Sequence, residues 1–133
     1  NSSRAAQESL DLALEVLREG RAFGIYPEGT RSRDGRLHRG RTGVAWLALT
    51  AGVPVVPVGL RGTAEIQPVG SSWPRIARVS VSFGPAIQPD AYRGMPQGRA
   101  RRELTDAVMA AIAALTGQER ADSYNELPAD GED

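Results

Sequence analysis

The sequence predicts an α/β fold, on three observations. Helical periodicity and strand-like runs alternate in the order α-β-α-β-β-α, with short connections between them. Residues 53–60, Val-Pro-Val-Val-Pro-Val-Gly-Leu, are continuously apolar and rich in β-branched side chains, as in a strand buried on both faces of a parallel sheet. The length, 133 residues, suits one domain with a substantial core. The order reads as the second half of a larger unit, a mixed sheet flanked by helices.

Residues 3–19 carry Ala6, Leu10, Ala13, Leu14 and Leu17 at helical spacing, with Ser2 or Ser3 as a cap and Gly20 as a stop. The apolar run 22–26 is expected to be a strand, ended by Pro27, which cannot donate to a ladder. Residues 27–41 read as an Arg-rich loop with a tight turn at Asp34-Gly35. A second, largely apolar helix is expected from about Thr42 to Ala51, closed by Gly52. Pro54 and Pro57 sit awkwardly in a central strand and favour an edge or an irregular strand lining a groove. Residues 61–75 read as loop. Val79, Val81 and Phe83 alternate with Ser80 and Ser82, the pattern of a half-buried strand. After an irregular connection, residues 97–116 form a long helix ended by Gly117. Residues 1–117 are thus the folded part, and 118–133 an acidic tail expected to be disordered.

Composition removes several chemistries. There is no cysteine, hence no disulfide, thiol nucleophile or thiolate metal site. A single histidine, His38, rules out a multi-histidine metal site within the chain, and no metal or cofactor is expected. All sixteen basic residues are Arg, so no lysine is available for a Schiff base or a Walker motif. The formal net charge of zero hides an asymmetry. Residues 1–118 hold 15 Arg against 10 acids, a balance of +5, and residues 119–133 hold one Arg against six acids, a balance of −5. No apolar run approaches the roughly 20 residues that span a bilayer, and no signal peptide is evident. The chain opens with Asn, so it is expected to be a piece of something longer.

The stretch Tyr26-Pro27-Glu28-Gly29-Thr30-Arg31 concentrates the chemistry. It offers a carboxylate, a permissive backbone, a hydroxyl and a guanidinium in succession, and Arg33, Arg36, Arg39 and Arg41 follow. At the carboxyl end of a strand, such a loop suits an anionic ligand. Arg31 can grip a phosphate bidentately, or simply pair with Glu28 at the surface. Glu28 accepts a hydrogen bond from a ligand hydroxyl or holds Arg31. Gly29 supplies a positive φ or a close approach, or is a plain turn glycine. Thr30 donates to the phosphate or to a local turn. Arg39 and Arg41, just before the second helix, are the pair best placed to reach a ligand; Arg33 and Arg36 read equally well as a solvated basic loop. His38 is most simply a loop histidine, and Trp46 and Trp73 read as packing residues. Phe23, Tyr26, Phe83, Tyr92 and Tyr124 are scattered and make no stacking platform beside the arginines, which argues against nucleic acid.

The heptapeptide Tyr26-Pro27-Glu28-Gly29-Thr30-Arg31-Ser32, the helix ending Ala51-Gly52, and the run Val53-Pro54-Val55-Val56-Pro57-Val58 occur here in fixed order. Together they resemble the glycerolipid acyltransferases typified by 1-acylglycerol-3-phosphate acyltransferase, whose third block reads Phe-Pro-Glu-Gly-Thr-Arg-Ser and whose fourth is Val-Pro-Val-x-Pro-Val. The match is close over roughly residues 22–62, with Tyr for Phe at position 26. The resemblance implies the C-terminal half of an acyltransferase αβ domain. It implies transfer of a fatty acyl group from acyl-CoA or acyl carrier protein, as co-substrate, to a hydroxyl of 1-acylglycerol 3-phosphate in phospholipid biosynthesis. Glu28, Gly29, Thr30, Arg31, Arg39 and Arg41 would bind the lysophospholipid phosphate, and Val53 to Val58 would line the acyl groove or simply form core. The family's base is a His in a His-x-x-x-x-Asp block upstream of this motif. His38 is followed five positions later by Gly43 and lies downstream, so no catalytic residue is expected within this chain, which alone should be inactive. The expected location is the cytoplasmic face of the cell membrane, peripheral or anchored through a preceding part. The competing expectation is a non-catalytic module that binds anions or phospholipid headgroups through the same basic loop.

Overall fold

Apolar side chains at helical spacing build α1 (Ser2–Arg18) in the computed structural model, which describes residues 2–29, 35–62 and 78–124. Ala13 and Leu14 of α1 are buried, with Leu10 and Leu17 packed beside them, while Leu12 faces out. Residues 22–26 are not the expected strand. They form no ladder among the described residues, and Phe23, Ile25 and Tyr26 are exposed. A strand is made by its neighbour's hydrogen bonds, and a suitable apolar sequence alone does not supply them.

The expected loop 27–41 contains a short strand, β1 (Leu37–Arg39). Helix α2 (Gly43–Ala51) follows, apolar almost all round, with Val44, Ala45, Leu47 and Ala48 buried. Such a helix needs cover on more than one side. It has it: Leu47 meets Ala13 and Leu14 of α1, while Ala45 and Ala48 meet Leu104 and Val108 of the long helix α3 (Gln97–Thr116). Gly52 and Gly117 end α2 and α3 in the left-handed conformation, each donating its N–H back to the carbonyl four residues earlier.

The run Val53 to Val58 is irregular, as its prolines suggested, and is not buried on both faces. Val55 makes an isolated antiparallel bridge to Ile87, and Pro57 is fully buried, whereas Pro54 and Val56 face out. Strand β2 (Val58–Arg61) then pairs antiparallel with β3 (Ser80–Phe83), Val58 opposite Phe83 and Leu60 opposite Val81. The face of β3 expected to be buried is open instead: Val81 is 52% and Phe83 71% exposed. The opposite face is taken by α3, against which Gly59 packs so closely that a Cβ would lie 2.7 Å from Leu115 Cβ. A 3-10 turn (Pro89–Tyr92) leads into α3, with Tyr92 packed on the core.

Residues 118–124, placed by composition in a disordered tail, include an ordered strand. Strand β4 (Arg120–Tyr124) pairs parallel with β1, with Leu37 opposite Arg120, Arg39 opposite Tyr124 and a slip of register between them. The Leu37 N–H donates to the Glu119 carbonyl at 2.8 Å, the Gln118 amide donates to the Gly35 carbonyl at 2.9 Å, and Ala121 is buried. Acidic composition misled here because a parallel ladder is held by backbone groups, which any side chain permits. Among the described residues the fold is therefore α/β with two separate two-stranded ladders, β1-β4 and β2-β3, in place of one continuous sheet.

Candidate functional site

Pro27 and Gly29 shape the start of the site. The Gly29 N–H donates to the Tyr26 carbonyl at 3.0 Å, closing a tight turn with Pro27 at its second position. Gly29 then takes φ 87°, the left-handed backbone anticipated for it. The loop is fastened at two points, one on β1 and one just after it. The Arg41 N–H donates to the Pro27 carbonyl at 2.8 Å, and the His38 N–H donates to Glu28 Oε2 at 3.2 Å.

Glu28 is thus buried, not presented to solvent as its place in the motif suggested, and its carboxylate fixes the loop to the strand. His38, read as a loop residue, is buried in β1. Thr30 and Arg31 lie outside the described residues, as do Arg33 and Trp73. Trp46 packs beside Leu47 and Ala13, as expected of a packing residue.

Gly40 separates Arg39 from Arg41 and approaches α3 very closely. A Cβ there would lie 2.7 Å from both Met109 Cγ and Thr105 Cγ2. Gly40 therefore presses its edge of the chain onto the helix, and residues two apart in extended chain share the other side. Arg39 and Arg41 do share it: their guanidinium carbons lie over the ring of Tyr124 at 5.3 and 5.2 Å from its centroid. Both are within cation–π range.

A third arginine completes the group. Arg102 of α3 donates to the Tyr124 hydroxyl at 3.1 Å and to the Gly40 carbonyl at 2.8 Å, and pairs with Asp106 at 2.7 Å. Arg102 lies in the long helix expected over residues 97–116 without standing out there, and Tyr124 was left among scattered aromatics. The i,i+4 spacing of Arg102 and Asp106 was the one local sign that Arg102 is held in place. Asp106 matches the charge of Arg102, whereas Arg39 has no carboxylate within ion-pair distance among the described residues. An open pocket of about 420 Å³ beside Arg39 is also lined by Asp106, Arg120 and Asp122, so its walls carry both signs.

A second feature lies on β2 and β3. Val58 and Leu60 face Phe83 and Val81 across the ladder, on the side turned away from α3, and the exposed Val56 is in step with them. The result is a continuous apolar face open to the exterior. No helix among the described residues is long and apolar enough to cross a membrane, and no group of His, Asp or Glu there could hold a metal.

Comparison with known proteins agrees with the motif. The acyltransferase family model matches residues 1–61. A chloroplastic 1-acyl-sn-glycerol-3-phosphate acyltransferase of Brassica napus is 43% identical over 68 residues, 51% of this chain and 20% of that protein. One from Chlamydomonas reinhardtii is 30% identical over 128 residues, 96% of this chain and 36% of that protein. The crystal structure of the 1-acyl-sn-glycerophosphate acyltransferase PlsC from Thermotoga maritima superposes with a TM-score of 0.64 at 28% identity, covering 80% of this chain and 43% of that one. In sequence and in fold the chain is similar to the 1-acyl-sn-glycerol-3-phosphate acyltransferases. It spans less than half the length of each of these relatives. Within this chain, the described part of the candidate site is the anchored Glu28-Gly29 turn together with Arg39 and Arg41 gathered on Tyr124.

Proposed function

We propose that the protein transfers a fatty acyl group from a coenzyme A or acyl-carrier-protein thioester to the free hydroxyl of 1-acylglycerol 3-phosphate, giving phosphatidic acid for phospholipid synthesis, and that this chain holds the acceptor's phosphate. Arg31, Arg39 and Arg41 supply cationic forks, and Thr30 supplies a further donor, to the phosphate oxygens, while the Gly29 N–H closes the turn that carries them. Glu28 works indirectly, holding the loop on β1. The observation that carries this reading is the convergence of Arg39 and Arg41 on one ring beside the anchored turn. The open apolar face from Val56 to Phe83 supports a second element, a wall for the acyl chain.

In the reaction the acceptor hydroxyl attacks the thioester carbonyl carbon, the C–S bond breaks and the thiol leaves with the proton. This chain contains no His-x-x-x-x-Asp block to take that proton, so residues 1–133 alone are expected to be inactive. The arginines and the apolar face together suit the cytoplasmic surface of a membrane, where acceptor and product reside.

The test is a kinetic separation in the full-length gene product. Arg31→Ala and Arg41→Ala should each raise KM for 1-acylglycerol 3-phosphate about 10- to 100-fold, the size of a lost charge-assisted hydrogen bond. KM for the thioester should stay within about twofold on the same reasoning. Equal changes in both constants, or none, would remove the phosphate assignment.

A further inference from the structure

We infer that Tyr124, carried by the C-terminal strand β4, is a positioning residue for the acceptor site, holding Arg39 and Arg41 in their phosphate-binding orientation. The inference rests on the reading of those two arginines given above and adds a residue outside the sequence motif.

An arginine side chain has many rotamers, and two of like charge that approach one ring, as the exposed Arg39 and half-buried Arg41 do, repel each other. A guanidinium stacked on an aromatic ring uses its flat face for the contact and keeps its N–H edges for in-plane hydrogen bonds. Tyr124 offers such a ring to Arg39 at 5.3 Å and to Arg41 at 5.2 Å. The ring is fixed from two directions. Tyr124 lies opposite Arg39 in the β1-β4 ladder, and its hydroxyl accepts from Arg102 at 3.1 Å. Arg102 is itself tied to α3 through Asp106 at 2.7 Å and to the chain between the two arginines through the Gly40 carbonyl at 2.8 Å. One aromatic residue therefore gathers two cations, and a helix holds the aromatic residue. Among the described residues, the charged groups facing the ring are Arg39, Arg41 and Arg102, with Asp106 matching the last.

The experiment is acyl-transfer kinetics in the full-length gene product, with inorganic phosphate as a competing probe. Tyr124→Ala and Tyr124→Leu should each raise KM for the phosphorylated acceptor, and weaken phosphate competition, about 5- to 10-fold, with kcat and thioester KM nearly unchanged. Tyr124→Phe keeps the ring and should stay within about threefold of the parent. In an Arg39→Ala/Arg41→Ala background, Tyr124→Leu should add nothing, because the two cations that the ring orients toward the phosphate are gone. Should Tyr124→Ala fold poorly, Tyr124→Leu leaves a smaller void, has no π face and tests the same point. A Tyr124→Leu effect of equal size in both backgrounds, or none in the parent, overturns the positioning role while leaving the arginines' role intact. An Arg39→Ala/Arg41→Ala enzyme with an unaltered acceptor KM overturns the underlying reading itself.

Discussion

Gly40 is the residue on which the geometry of the site turns. Its neighbours on either side point cations toward Tyr124, while its own Cα lies where any Cβ would collide with Met109 and Thr105 of α3. Met109 and Thr105 are themselves buried, so neither can swing away into solvent. Gly40→Ala should therefore cost about 1–3 kcal/mol, as overpacking does. Chemical denaturation of the full-length protein would measure it, and an unchanged midpoint would mean that β1 does not sit tightly against the helix. Glu28 illustrates the opposite case, a motif residue whose work is hidden. A carboxylate beside a phosphate site is paradoxical on charge alone, and its burial against the His38 N–H gives it a different task. The sequence offered a ligand hydroxyl or Arg31 as its partner and did not reveal this one, because it is a backbone group ten residues away.

At the scale of elements, the helices were legible and the strands were not. Helices α1, α2 and α3 start and stop within a residue or two of where periodicity and glycine stops put them, since both signals are local. Strands depend on partners that a local pattern does not reveal. Residues 22–26 have strand composition and no partner among the described residues; residues 120–124 have tail composition and pair with β1. The same limit hid half of the site. Arg39 and Arg41 stood out by charge, but Tyr124 and Arg102 reach them only through the β1-β4 ladder and a contact between residues 62 apart. The strand also changes what a truncation should do. Deleting residues 120–133 removes β4 and its ring, so acceptor KM should rise about tenfold by loss of both cation–π contacts, and the thermal midpoint should fall. If the shortened enzyme keeps parental kinetics and stability, β4 has no part in the site.

At the scale of the whole molecule, the chain presents two unlike surfaces. One gathers arginines at a turn tied to β1. The other is the apolar face of β2 and β3, with Val56, Val81 and Phe83 open to the exterior, a contiguity that marks a binding surface more often than an ordinary exterior. A substrate with a phosphate at one end and an acyl chain at the other has use for both. The Val-Pro-Val-Val-Pro-Val run was legible as a candidate wall, but which of its residues face out depended on the register of β2 against β3. The central claim is that the acceptor is recognised by its phosphate. Thiol release from an acyl thioester by the full-length protein, measured with vesicles containing 1-acylglycerol 3-phosphate and with vesicles containing the same 1-acylglycerol lacking phosphate, tests it most directly. Release that is at least about tenfold faster with the phosphorylated acceptor, the least expected from one charge-assisted hydrogen bond, is the predicted result. Equal release from the two acceptors, or vesicle binding with no release at all, would contradict it.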